Sequence, residues 1–199
     1  MGILENTFLS SAVAVVLTFL FNNYKDWKID IKNKLNLLNS LLSEAKAIKS
    51  LIEVRRREYK LQNINDVNAY TFDYFPISYN YFTVYESSAS KIAILEKSEL
   101  INYIICSYAD IKGLFENLKD LSKVSMEFNK FTLCKSDNID KTRLVLIHHS
   151  YCKMILKEQV PMVNEVLNNL IDKIENEIEI QNKKGIGDFL KGLICLVEK

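Results

Sequence analysis

The N-terminal region contains nineteen consecutive residues without a charged side chain, Asn6–Tyr24, and the centre of this stretch reads FLSSAVAVVLTFLF. A helix rises about 1.5 Å per residue, so about 20 residues cross a hydrocarbon core of about 30 Å. Tyr24 ends the stretch and Trp27 follows it, at the level where aromatic side chains favour the membrane interface. The sequence therefore predicts a transmembrane helix at residues 1–25, in contact with the lipid bilayer.

Two other interpretations of the stretch are a cleaved signal peptide and a buried helix of a soluble protein. A signal peptide begins with basic residues and ends at an A-x-A-like cleavage site. Here Glu5 is the only charged side chain before the apolar run, and NNYKDWK follows the run. The pattern therefore favours a membrane anchor over both alternatives.

The basic residues around the stretch predict its orientation. Four lysines follow it and none precedes it, namely Lys25, Lys28, Lys32 and Lys34. The positive-inside rule then places the C-terminal domain in the cytoplasm. Four cysteines without disulfide or zinc-site spacing agree with a reducing compartment, namely Cys106, Cys134, Cys152 and Cys195.

One face of the predicted span carries small or polar side chains, whereas the other faces carry Leu, Val and Phe. The members of this face are Thr7, Ser11, Ala14, Thr18 and Asn22. Small residues let transmembrane helices approach closely, and hydroxyl groups can form hydrogen bonds across the interface. We interpret the face as an oligomer contact that could line a pore; simple dimer packing, or no partner at all, is the alternative.

The rest of the chain has the pattern of an all-α protein, because 5 Gly and 2 Pro leave few breaks between long elements. We expect a long helix at 26–62, a loop at 63–76, a helical bundle at 77–183 and a short C-terminal helix at 187–197. Within the bundle the pattern predicts helices at about 77–95, 97–131 and 139–183, the last kinked or divided at Pro161.

Apolar residues at steps of three and four predict the inner faces of these helices. In the long helix the seam has one charged member, Lys49, among Ile31, Leu35, Leu38, Leu42, Ala45 and Ile52, and it is widened by Leu41, Ile48 and Leu51. In the 97–131 helix they are Leu100, Ile104, Tyr108, Ile111, Phe115, Leu118 and Leu121. In the last long helix they are Leu167, Ile171, Ile174 and Ile178.

A basic patch and an aromatic run are the candidate ligand-binding features. Arg55, Arg56, Arg57 and Lys60 make a patch that suits phosphate or nucleic acid, although it could equally be a solvated face paired with Glu53 and Glu58. Residues 70–85 hold eight aromatic side chains, from which we single out Tyr74, Tyr79 and Tyr81. Such rings can stack on the bases of a single strand, or simply pack on the bundle or on another subunit.

Metal and catalytic sites are not predicted. His148 and Cys152 share a helical face beside His149, but no further ligand lies nearby to complete a metal set. Asp172, Glu175 and Glu179 share the wet side of an amphipathic helix. The sequence contains no phosphate-binding glycine loop and no nucleophile elbow, so we expect neither a cofactor nor enzymatic activity.

The order of these features resembles that of small single-span membrane effectors of bacterial anti-phage systems. The segments that carry the likeness are IEVRRREY at 52–59, F-x-x-FP at 72–76, YFTVYESSASKIAIL at 81–95 and SYADIKGLFENL at 107–118. The likeness covers the layout of the whole chain and is to the channel-forming effector of the Hailong defence system. CRISPR accessory membrane proteins gated by cyclic oligonucleotides share the same plan.

The resemblance implies a homo-oligomeric channel, tetrameric by analogy, that crosses the bacterial inner membrane once. In the Hailong system a nucleotidyltransferase makes short DNA oligomers that hold the channel closed. An oligonucleotide or a nucleotidyltransferase is therefore the implied partner, with Arg55–Arg57 and the 70–85 aromatics as the implied site. The implied outcome is depolarisation and abortive infection; the alternative is a membrane-tethered helical module that recruits a protein partner without forming a pore.

Overall fold

The structure is a computed structural model that describes the backbone of residues 2–58, 79–133 and 139–197. Within these ranges, some side chains lie outside the description, namely those of residues 2–12, 55–58, 79–80, 128–129, 131–133, 139–142, 144–145, 193 and 195–197. The predicted loop at 63–76 lies outside the described residues.

Six α-helices make up most of the described chain. They are α1 (Gly2–Glu58), α2 (Thr83–Ser88), α3 (Ser98–Leu133), α4 (Ile139–Cys152), α5 (Val160–Lys183) and α6 (Ile186–Val197). Two 3-10 segments flank α2, at Tyr79–Phe82 and Ala89–Leu95, and a π-helical segment, Lys153–Gln159, separates α4 from α5. No β-strand occurs in these ranges, which confirms the all-α class.

The length of α1 follows from the absence of helix breakers. After Gly2, the next proline is Pro76 and the next glycine is Gly113, so nothing interrupts the backbone ladder through Glu58. The predicted inner face of the second half is largely confirmed, because Leu38, Leu41, Ala45, Ile48 and Ile52 are buried. Ile31, Leu35, Leu42 and Leu51 are half-buried.

No helix among the described residues combines the length and the apolar character needed to cross a membrane. The first twelve residues of the predicted span at 1–25 have side chains outside the description.

The segment between residues 79 and 95 differs from the single helix predicted at about 77–95. It consists of the short helix α2 between two 3-10 segments, and Glu96 then adopts a left-handed φ of 60° before α3 begins. Ser and Thr compete with the helical ladder, because their hydroxyl groups bond to nearby backbone groups. Ser87 does so here, since its Oγ donates to the Val84 carbonyl oxygen at 3.1 Å.

Helix α3 supplies the largest part of the core, and its predicted inner face is confirmed. All seven positions are buried: Leu100, Ile104, Tyr108, Ile111, Phe115, Leu118 and Leu121. Helix α3 packs against α4, the π-helical segment and the second 3-10 segment.

The π-helical segment lies directly before Pro161, where the sequence predicts an interruption. Because Pro161 has no N–H, it cannot donate to the carbonyl of Lys157, and a wider turn relieves this mismatch. The Val160 N–H accordingly bonds to the Ile155 carbonyl oxygen, five residues back. The wider turn also keeps the buried positions on one face, although Ile155 and Val160 are five residues apart. These positions are Cys152, Ile155, Val160, Val163 and Leu167.

The chain divides into two compact units, residues 1–39 with 175–199 and residues 40–174. In the first unit, Phe189 is buried, and so are the polar side chains of Lys34, Glu177 and Gln181. Gln181 Nε2 donates to Glu177 Oε1 at 2.6 Å, and Asp188 caps α6 by accepting from the Gly185 N–H at 3.0 Å. The second unit contains the core of α3 and the buried positions after residue 40 of α1.

We expect Ile104→Ala to lower the free energy of unfolding by about 2–5 kcal/mol, because Ile104 is fully buried and the substitution leaves a cavity. The neighbouring Ile105 is 44% exposed, so Ile105→Ala should cost less than about 1 kcal/mol. Denaturant unfolding followed by circular dichroism in mild detergent measures both, and equal costs would contradict this assignment of the core.

Candidate functional site

The apolar N-terminal half of α1 exposes its large side chains. Six of them are between 52% and 69% exposed, namely Val13, Val15, Val16, Leu17, Phe19 and Phe21. Two polar groups in the same part bond to their own helix: Thr18 Oγ1 donates to the Ala14 carbonyl oxygen, and Asn23 Nδ2 donates to the Phe19 carbonyl oxygen, both at 2.8 Å. The Thr18 hydroxyl and one of the two Asn23 amide N–H groups therefore have an acceptor within their own helix.

The predicted pore or oligomer face is only partly described. Ala14, Thr18 and Asn22 are exposed on α1, whereas the side chains of Thr7 and Ser11 lie outside the description. Because the Thr18 hydroxyl donates to Ala14, it retains only acceptor capacity toward a neighbouring helix.

Most of the predicted ligand-binding residues fall outside the described set. Lys60 and Tyr74 lie between residues 59 and 78, and Arg55, Arg56, Arg57 and Tyr79 belong to helical segments in which their side chains are not described. Tyr81 is described: it is half-buried, and its ring centre lies 5.6 Å from that of Phe115.

The second half of the predicted aromatic run packs on α3 through ring contacts. Tyr85 stacks on Tyr108 with ring centres 4.1 Å apart and planes 7° from parallel. Phe82 meets Phe115 edge to face at 5.3 Å and also contacts Tyr108. Tyr81 and Tyr85 remain half-buried, so these two rings combine core packing with partial exposure.

A buried carboxylate, Glu44 of α1, holds this aromatic segment in place. Its two oxygens accept hydrogen bonds from the backbone N–H of Val84 at 2.7 Å, the backbone N–H of Tyr85 at 3.0 Å and the Tyr108 hydroxyl at 2.9 Å. The two N–H groups lie in the first turn of α2, which has no side-chain cap of its own. Burial, and then the adjacent Glu44 charge, raise the pKa of Tyr108, so its hydroxyl remains a donor.

Lys112 of α3 provides a positive charge beside the same rings. Its Nζ lies 2.7 Å from Glu86 Oε1 and 5.4 Å from the ring centres of both Phe82 and Tyr85. Both partners of the ion pair are partly exposed, so the pair itself contributes little to stability. A cation next to a half-exposed aromatic ring, here Tyr85, can bind an anion whose planar part contacts that ring.

The predicted His148 and Cys152 pair is buried in the core of the second unit. Ser125 Oγ donates to the Leu121 carbonyl oxygen at 2.8 Å and so accepts from His148 Nε2 at 2.8 Å; Cys152 Sγ lies 3.7 Å from the same nitrogen. Burial, and then the neighbouring His149, lower the pKa of His148. Burial raises the pKa of the Cys152 thiol to about 11, so the thiol stays protonated and unreactive.

A metal site is not visible in the part of the chain that the structure describes. There, no group of three or more His, Cys, Asp or Glu side chains is arranged to hold a metal ion. The contacts of His148 are instead those of a histidine within a packed core.

Sequence reasoning missed three of the residues that organise this region: Glu44, Lys112 and Ser125. Glu44 could have been found, because it stands three residues after Leu41 and four before Ile48, on the buried face of α1. A carboxylate on an apolar face signals a buried hydrogen-bond acceptor. Nothing in the sequence singles out Lys112 or Ser125.

No protein-family model, curated protein or solved structure matches this chain.

We expect Glu44→Ala to lower the free energy of unfolding by about 2–4 kcal/mol, because three donors lose their acceptor. Amide exchange at Val84 and Tyr85 should accelerate. Glu53→Ala on the same helix is the control, since its partly exposed contact with Lys49 at 3.9 Å contributes less than about 0.5 kcal/mol. Equal effects of the two substitutions on unfolding and exchange would contradict the role of Glu44.

Acid should destabilise the second unit through His148, whose pKa in the folded chain is lower than its ordinary value of 6.5. The unfolded chain therefore binds a proton at His148 more readily than the folded chain does. The stability that neutral His148 contributes is complete well above pH 6.5 and is lost as the pH falls below that value.

Denaturant unfolding between about pH 7.5 and pH 5.5 tests this sign. The free energy of unfolding of wild type should fall across this interval. That of His148→Gln should be lower than wild type at the upper pH but should change less as the pH falls. His149→Gln should keep most of the wild-type slope; an unchanged slope in His148→Gln would refute the assignment.

Proposed function

We propose that this chain is a membrane effector of bacterial antiviral defence. It assembles through the N-terminal part of α1 into a homo-oligomeric ion channel, and a nucleotide or oligonucleotide bound by the cytoplasmic domain controls that channel. Opening depolarises the inner membrane and leads to abortive infection.

The exposed apolar side chains of α1 carry this proposal. At 100° per residue, the six exposed side chains from Val13 to Phe21 cover about 240° of the helix circumference. Ala14, Thr18 and Asn22 fall in the remaining sector. Such a helix would be stable with lipid against its apolar sector and a neighbouring helix packed on its narrow sector of small residues. Water on all sides would leave the apolar side chains exposed.

The basic and aromatic groups of the second unit support a nucleotide ligand. The half-exposed rings of Tyr81 and Tyr85 offer aromatic surface to a ligand, and Lys112 offers a cation beside Tyr85. Because Glu44 fixes α2 to α1 and α3, these groups are held in one arrangement before a ligand arrives. The predicted patch at Arg55–Arg57 begins eleven residues after Glu44 on the same helix, about 16 Å along its axis.

The alternative is a membrane-tethered helical module that recruits a protein partner without a pore. Such a module would also use the apolar part of α1 as its anchor, but it would not need to assemble through Ala14 and Thr18. A strictly monomeric state in mild detergent, together with full activity after replacement of the span by an unrelated one, would favour this alternative.

Expression in bacterial cells with a voltage-sensitive dye tests the channel. We expect loss of membrane potential during phage infection, and we expect Thr18→Leu to weaken it because the larger side chain separates helices that pack through this sector. Val16→Leu, in the lipid-facing sector, is the matched control and should act as wild type. The channel is refuted if no phage or ligand condition depolarises the cells and Thr18→Leu is indistinguishable from wild type.

Binding of short, fluorescently labelled single-stranded DNA tests the ligand. We expect Lys112→Ala to weaken binding and to reduce the slope of log affinity against log salt by about 0.7, the loss of one phosphate contact. Lys123→Ala, on the same helix but paired with Asp120 away from the rings, is the control. Absence of binding, or equal effects of both substitutions, would exclude this site for single-stranded DNA.

A further inference from the structure

Helix α6 has two apolar sides, and only one of them is covered within the first unit. Phe189 is buried, whereas Ile186, Leu190 and Ile194 are 60%, 48% and 58% exposed. These three residues recur at steps of four, so they form one stripe along the helix. We call them the α6 stripe.

The covered side fixes α6 beside the aromatic residues that follow the apolar stretch of α1. The ring of Phe189 lies 5.3 Å from that of Tyr24 and 5.6 Å from that of Trp27, and Tyr24 stacks on Trp27 at 5.8 Å. Tyr and Trp favour the level of the lipid headgroups. Because α6 packs on these two rings, it is held at that same level whenever α1 is in a membrane.

The length and the charges of α6 restrict what can cover the stripe. Twelve residues extend about 18 Å as a helix, too short to cross a bilayer of about 30 Å. Lys191 is exposed on α6 and Lys184 precedes the helix, while Lys28 lies over the Tyr24 ring at 5.2 Å. The nearby Asp188 is occupied by the Gly185 N–H, and Lys183 pairs with Glu179.

We propose that α6 lies flat on the cytoplasmic leaflet, with the α6 stripe inserted at the boundary between headgroups and acyl chains and with Lys184 and Lys191 near anionic phosphates. This geometry is that of an amphipathic helix at an interface. It rests on the proposed membrane anchoring of α1. A second copy of the chain is the lesser candidate, because three side chains provide only a fraction of the roughly 800 Å² per partner in a stable interface.

The test uses the full chain reconstituted in vesicles of phosphatidylcholine, with and without phosphatidylglycerol. An environment-sensitive fluorescent amino acid replaces Leu190, Gly192 or Leu17, one at a time, and nitroxide-labelled lipids quench it according to depth. Gly192 is exposed about 200° around the helix from Leu190, and a side chain added there meets no atom within 4 Å. We expect quenching at position 190 by nitroxides near the headgroups, stronger with phosphatidylglycerol, and none at position 192.

A charge on the stripe provides the second readout. With the fluorophore in place of Ile186, Leu190→Glu should reduce the ratio of docked to undocked α6 by about tenfold or more, and Gly192→Glu should leave it unchanged. Quenching at position 17 without quenching at position 190 overturns the α6 proposal but leaves the membrane effector standing. No quenching at either position overturns both. A blue shift at position 190 that depends on protein concentration and not on lipid assigns the stripe to a second copy and overturns the proposal.

Discussion

The Glu44 carboxylate is the contact on which the arrangement of the second unit depends. Helix α2 has six residues, fewer than an isolated helix needs for stability, and it lacks a side-chain cap. Glu44 supplies the missing acceptor for two N–H groups and also binds the hydroxyl of Tyr108, so one charged group joins α1, α2 and α3. The stacking of Tyr85 on Tyr108 follows from this contact, and with it the place of the half-exposed rings.

The parts of the fold that periodicity determines were predictable. All seven positions predicted for the inner face of α3 are buried, because 36 residues without a proline maintain one register from Ser98 to Leu133, although Leu114 and Ser125 are buried there as well. The interruption before Pro161 was predictable for a chemical reason, the missing N–H, although the sequence did not indicate that a π-helical turn would absorb it. The structure of the segment at 79–95 was not predictable from the sequence, since it depends on the contact of Val84 with Glu44, forty residues earlier in the chain.

The residues of the candidate site were also only partly predictable from the sequence. Aromatic enrichment drew attention to Tyr81, and the structure places it against Phe115. Composition could not indicate that Lys112 stands beside Phe82 and Tyr85, because that proximity arises from the packing of the 79–95 segment on α3. His148 and Cys152 were visible as a pair on one helix face, but only the contact with Ser125 of α3 explains why the histidine is buried.

In the first unit, the character of the described side chains changes near residues 24–27. Before that level, the described exposed side chains are largely apolar, and Thr18 and Asn23 each donate to a carbonyl of their own helix. At that level, Tyr24, Trp27 and Phe189 form an aromatic cluster with Lys28 beside it. Beyond it, buried polar side chains appear, at Lys34, Glu177 and Gln181. Helix α6 joins the aromatic cluster from a distant part of the sequence. Under the proposed membrane anchoring of α1, the α6 stripe and the apolar stretch of α1 would therefore meet the same bilayer.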